Sequence, residues 1–169
     1  MEQIVKRFDE LSLDELYGLL KARVAVFVVE QQCPYQEIDG VDKESYHVFF
    51  REGSEIIAYL RVVPKGVKFE EVSIGRVLSF RRKNGIGSRL LSEGLKVARE
   101  QFHAQKVVLE AQVQAQAFYE KAGFVQVSPE FLEDGIPHIM MELVVAQESP
   151  VGYAGGLRGQ EETCESPHR

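Results

Sequence analysis

The chain has no tryptophan and only two cysteines, Cys33 and Cys164, in 169 residues. Two thiols make no disulfide framework, so a reducing compartment is the expected setting. The four histidines, His47, His103, His138 and His168, stand at no metal-ligand spacing, and no metal site is expected. No apolar run approaches the roughly 20 residues that a membrane-spanning helix needs. The first ten residues are charged and lack the apolar core of a signal peptide. A basic surplus is missing too: 20 Lys and Arg against 26 Asp and Glu give a net charge of −6. That balance argues against a general nucleic-acid binder, which carries a positive contact face. A cytoplasmic protein without membrane or nucleic-acid partners is therefore expected, with a homodimer left open.

What is present is the composition of a soluble globular protein, 44% hydrophobic and 27% charged. The length suits one domain with a sizeable core. Patterned sequence fills residues 1–146. From 147 to 169 Ser, Gly, Pro, Glu and Gln dominate, as in a disordered tail. Residues 4–8 read as a short strand. Ser12 opens a capping box with Glu15, and Leu13, Leu16, Leu19 and Leu20 follow at helical spacing towards Val28. Residues 46–50, 56–63 and 72–80 read as strands, and 86–102 as a helix with an apolar stripe. A strand at 107–111, a short helix at 114–122 stopped by Gly123, and strands at 124–127 and 139–145 complete the series. The order β-α-β-β-β-α-β-α-β-β implies a mixed central sheet flanked by helices, an α/β (α+β) fold.

The turn between the strand at 72–80 and the following helix carries the chemistry. Arg82, Gly85 and Gly87 form Arg-x-x-Gly-x-Gly, and both glycines fall where a helix exposes its first unpaired N–H groups. Those groups and the positive end of the helix dipole favour a phosphate, and glycine lets it approach the backbone. It is not a P-loop, since no Lys-Ser or Lys-Thr pair follows either glycine. Nor is it a dinucleotide fingerprint, because Leu90 stands where the third glycine or alanine belongs. The plain alternative is a solvated basic turn.

A second segment, Ala115-Gln-Ala-Phe-Tyr-Glu-Lys-Ala-Gly-Phe124, lies one helix and one strand further on. Together the two segments resemble the GNAT superfamily of acyl-CoA-dependent N-acetyltransferases. Segments 26–40 and 133–138 are similar to its ElaA-type branch. The resemblance covers about residues 10–145. It implies a GNAT fold that moves the acetyl group of acetyl-CoA to a primary amine by direct attack. A non-catalytic acyl-CoA-binding protein and a longer-chain acyltransferase of the same fold are the alternatives.

By that resemblance, the turn Arg82, Lys83, Asn84, Gly85, Ile86, Gly87 and Ser88 would hold the coenzyme A pyrophosphate. The strand end Val77, Leu78 and Ser79 would pair with the pantetheine arm, and an N–H near Leu78 would polarise the thioester carbonyl. Gln112 stands where many members have Asn, and would reach the cofactor on a longer arm. Tyr119, protonated at neutral pH, would donate to the departing thiolate, or else simply pack beside Phe118 and Phe124. For a base the candidates are Glu30, Asp39 and His138, with Glu110 weaker; each also has a structural reading. Cys33, ahead of Pro34 in a loop, is read as a structural thiol. The acidic stretch 37–44 is read as a solvated loop.

Overall fold

The computed structural model describes residues 1–145, and the expected tail lies outside them. Eight strands form one sheet in the order β1-β2-β3-β4-β5-β8-β6, with β7 paired to β8. β1 is Glu2–Arg7, β2 Tyr46–Glu52, β3 Glu55–Val63 and β4 Val72–Ser79. β5 is Lys106–Gln112, β6 Val125–Gln126, β7 Phe131–Glu133 and β8 Ile136–Val144. Among the described residues only β4 and β5 run parallel; the other neighbours are antiparallel. The helices are α1 Leu13–Arg23, α2 Ile86–Phe102 and α3 Gln116–Lys121. Among the described residues no helix is long and apolar enough to cross a membrane.

Local chemistry explains the boundaries. Ser12 and Glu15 form the expected capping box at the start of α1. Past Arg23 the helix does not stop but widens into a π-helix, Val24–Glu30, where Gln31 N–H bonds the Val26 carbonyl at 3.2 Å. This π turn carries the run Val24-Ala-Val-Phe-Val-Val29, whose β-branched side chains crowd an α-helix. α3 is shorter than its pattern, because Val113–Ala115 forms a tighter 3₁₀ turn ahead of it. Gly123 ends it at φ +99°. The strand β7 was not expected; a two-residue turn, Asp134 and Gly135 with φ of +49° and +77°, folds it back onto β8.

Apolar residues pack on both faces of the central strands. Val48, Phe50, Leu60 and Val62 lie in a core cluster with Leu90, Leu91, Val97 and Ala98 of α2. Phe49 and Tyr59 point the other way, into a smaller cluster with Ile4, Leu19 and Ala22 of the α1 side. His47 and Arg61, at the same alternation as Phe49 and Tyr59, are buried there too, at 0% and 1% exposure.

Candidate active site

β4 and β5 pair at two positions only, Val72 with Val107 and Ser73 with Val108. Beyond them the strands part, and a cavity of about 710 Å³ opens between their carboxyl ends. Its walls include Val77 and Leu78 of β4, Glu110 and Gln112 of β5, and Tyr119 of α3. One end is basic, at Arg81, Arg82 and Lys83 beside Gly85 and Gly87; the other carries Lys68, Glu110, Glu133 and His138.

The β4 wall is irregular. Tyr59 faces Leu78 and Arg61 faces Gly75, so Arg76 and Val77 together oppose Leu60 in a β-bulge. Arg76 sits at φ +55°, in the left-handed region. Beyond the bulge, Phe80 N–H bonds the Ile57 carbonyl at 2.9 Å. Antiparallel alternation then turns the polar groups of Leu78 towards β3 and leaves those of Val77 and Ser79 facing the opening. The N–H expected near Leu78 is therefore that of a flanking residue.

At the basic end, Lys83 and Gly85 take positive φ values of +66° and +79°, and Gly85 caps α2. Asn84 Oδ1 accepts the Ile86 N–H at 3.3 Å, so the N–H groups of Gly87 and Ser88 are the ones left at the helix start. Gly85, Gly87, Ser88, Arg82 and Lys83 line the cavity; Asn84 and Ile86 are not part of its wall. A Cβ on Gly87 would meet the Phe118 ring at 3.4 Å, so α3 seats closely on the turn. Arg82 is ion-paired with Glu30, and Arg81 with Glu52, all four on the surface. Glu30 is thus a partner of the basic turn, and it does not line the cavity.

Tyr119 lines the cavity with 8% of its surface exposed, edge-on to Phe118 and Phe124 at ring separations of 5.0 and 5.9 Å. Its hydroxyl has no hydrogen-bond partner among the described residues, and burial raises its pKa further above neutral. The carboxamide of Gln112 is engaged at both ends: Nε2 donates to Gln31 Oε1 at 3.0 Å, and Oε1 accepts from Gln114 Nε2 at 2.8 Å. It ties β5 to the residue that follows the π-helix.

Glu133, in the unexpected strand β7, lines the same cavity as Glu110. Hydrogen bonding to Glu110, then burial, pushes Glu133 up to about 7. Burial raises Glu110 as well, but the Glu133 hydrogen bond and Lys68, at 3.3 Å, outweigh it and lower its pKa. The two carboxyls thus titrate as a pair, with Glu133 the one whose protonated form is favoured. His138 Nδ1 lies 2.7 Å from the Ile136 carbonyl, which can only accept, so Nδ1 carries the proton and Nε2 is free of it in the neutral ring. Phe131 stacks on that ring at 6.1 Å. Cys33 is buried on the cavity wall with Sγ 3.6 Å from the Asp134 carbonyl.

Under the floor, the acidic stretch expected to be solvated is folded inward. Glu37 and Asp42 are 3% and 4% exposed. Arg23, fully buried, donates to Glu37 Oε1 at 2.9 Å and to Asp42 Oδ1 at 2.6 Å. Arg61 donates to Asp42 at 2.9 Å and grips both oxygens of Asp39, at 2.8 and 2.6 Å. Asp39 is thus bound to two arginines, Arg61 and Arg76, as well as capping its own turn at Val41. Burial raises the pKa of Asp39 and Asp42, but the guanidiniums outweigh it, lowering Asp42 and holding Asp39 well below the usual carboxylate range.

Residues 11–145 match the acetyltransferase (GNAT) domain family. The chain is 42% identical over 142 residues to protein ElaA of Escherichia coli, covering 82% of this chain and 93% of that protein. It is 39% identical over 147 residues to a UPF0039 protein of Schizosaccharomyces pombe, covering 85% and 97%. The crystal structure of an acyl-CoA N-acyltransferase from Pseudomonas aeruginosa superposes with a TM-score of 0.79 at 40% identity, covering 84% of this chain and 99% of that one.

Proposed function

Since the chain belongs to the GNAT acetyltransferase family and is ElaA-like, we propose that it transfers the acetyl group of acetyl-CoA to a primary amine by direct attack in a ternary complex. The observation that carries this is the cavity between the parted ends of β4 and β5, basic at one end and carboxylate-lined at the other. Acetyl-CoA as donor accords with a cytoplasmic location.

The N–H groups of Gly87 and Ser88, at the positive end of α2, receive the pyrophosphate. Arg82 exchanges Glu30 for a phosphate oxygen in a charge-assisted contact. The pantetheine arm pairs with the open edge of β4 at Val77 and Ser79, and the Val77 N–H at the bulge polarises the thioester carbonyl. The amine enters from the other end, where the Glu110–Glu133 pair, once deprotonated, and His138 Nε2 stand as proton acceptors. Nitrogen bonds to the acetyl carbon, the oxyanion forms against the bulge, and collapse breaks the C–S bond. Tyr119, kept protonated by its burial, donates to the thiolate sulfur.

The test is CoA thiol release from acetyl-CoA across a panel of small primary amines, polyamines and lysine peptides. We expect release that depends on the amine, and a fall in kcat of about a hundredfold in Tyr119→Phe with little change in KM for acetyl-CoA. The base must lose its proton to act, so kcat/KM should rise with pH through about 7, the value of Glu133. Acetyl-CoA binding without amine-dependent release over the whole panel would leave an acyl-CoA-binding protein instead.

A further inference from the structure

Arg76 stands out on the cavity wall because it is a side-chain-bearing residue at φ +55° inside a strand. Glycine would adopt that conformation without cost, and a non-glycine residue holds it only where its surroundings impose it. The surroundings here are specific. Arg76 Nε donates to Glu37 Oε1 at 2.6 Å, and Nη2 donates to the Glu37 backbone carbonyl at 3.1 Å. Nη2 also reaches Asp39 Oδ2 at 3.4 Å, and the guanidinium lies over the Tyr35 ring at 5.5 Å.

Glu37 is itself immobilised. Arg23, at the end of α1, donates to the same Oε1 and to the same carbonyl, at 2.9 and 3.3 Å. The grip thus runs from α1 through Glu37 to the one residue of β4 whose backbone is turned out of the strand path. The residue that follows is Val77, whose N–H the reading above aims at the thioester carbonyl.

From this we infer that Arg76 is a positioning residue: clamped by Glu37 and Asp39, it fixes the bulge that presents the Val77 N–H to the acyl group. This rests on the acyltransferase reading of the cavity. A polarising donor works only when held where the oxyanion develops, and an ångström of displacement costs about a hundredfold in rate. The chain uses Arg where glycine would satisfy the backbone, and the side-chain contacts are what glycine could not supply.

The inference separates from simple strain through Arg76→Gly, which keeps the backbone conformation accessible and removes the clamp. The readouts are kcat and KM for acetyl-CoA, together with the backbone amide resonances of Val77 and Gly87 in the presence of CoA and then of acetyl-CoA. In the wild type the Val77 amide should respond to the acetyl group, differing between the two ligands. In Arg76→Gly we expect acetyl-CoA to bind within about threefold of wild type and Gly87 to respond as before. The acetyl-dependent response of Val77 should be lost, and kcat should fall about 10- to 100-fold. Glu37→Gln guards against a misfolded Arg76 variant. It keeps Oε1 as acceptor and replaces Oε2, which has no partner among the described residues. Its kcat should stand above that of Glu37→Ala.

Wild-type kcat and a wild-type Val77 response in Arg76→Gly would overturn the inference while leaving the acyltransferase reading intact. A wild-type protein that binds acetyl-CoA with no acetyl-dependent response at Val77 would overturn the polarising role of that N–H, and the inference with it.

Discussion

β2 and β3 bury both their faces, but they bury them differently. Towards α2 the alternation presents Val48, Phe50, Leu60 and Val62, an apolar surface closed by Leu90 and Leu91. Towards α1 and the loop after it, the same strands present Phe49 and Tyr59 flanked by His47 and Arg61, and three arginines meet three carboxylates. The first face stabilises by removing apolar surface from water. The second gives little net stability, because desolvating ions offsets most of their attraction. What it gives is position: it joins α1, the loop and β4, and its last member, Arg76, stands on the cavity wall. One face holds the sheet together, and the other holds the site in shape.

The comparison breaks most visibly on the ionic side. Arg23→Met would leave Glu37 and Asp42 buried with one partner fewer each, and should cost about 3–5 kcal/mol in urea unfolding. Leu60→Ala on the apolar face should cost about 2–5 kcal/mol by the same measurement. The sharper distinction lies in function. Folded Leu60→Ala should keep its turnover, whereas folded Arg23→Met should lose part of it, because Glu37 is no longer held against Arg76.

A smaller effect appears with acid. Burial lowers the pKa of His47, which stays neutral: Nε2–H donates to the Asp42 carbonyl at 2.9 Å, and Nδ1 accepts from the Tyr59 hydroxyl at 2.8 Å. The unfolded chain therefore binds a proton at His47 that the native state refuses, so stability falls as pH drops below about 6.5. Asp39 and Asp42, depressed in the fold, add a further loss as pH falls through the ordinary aspartate range near 3.8. Urea midpoints between about pH 7.5 and 2.5 check this, and His47→Gln should flatten the upper part of the slope.

Legibility followed sequence distance. The capping box at Ser12, the αL stop at Gly123 and the helix from Ile86 are local signals, and each forms as its pattern reads. The acidic loop was misread because its partners, Arg23, Arg61 and Arg76, lie up to 39 residues away. A hint was present: Arg61 interrupts the strand run Ile56-Ile-Ala-Tyr-Leu-Arg-Val-Val63, and a cation buried in a central strand demands a carboxylate. Strand β7 also had its signal, the Asp134-Gly135 pair, but three residues are too few to show alternation. The Glu110–Glu133 meeting and the left-handed turn at Arg76 depend on register, which no single stretch of sequence displays.

The most direct measurement is the thermal unfolding shift that acetyl-CoA produces in the wild type and in Gly87→Asp. At 100 times its Kd the ligand should add about 2.7 kcal/mol of stability to the wild type. In Gly87→Asp, where a carboxylate occupies the start of α2, the folded protein should show no shift. A wild type that unfolds at the same temperature with and without millimolar acetyl-CoA would contradict the account.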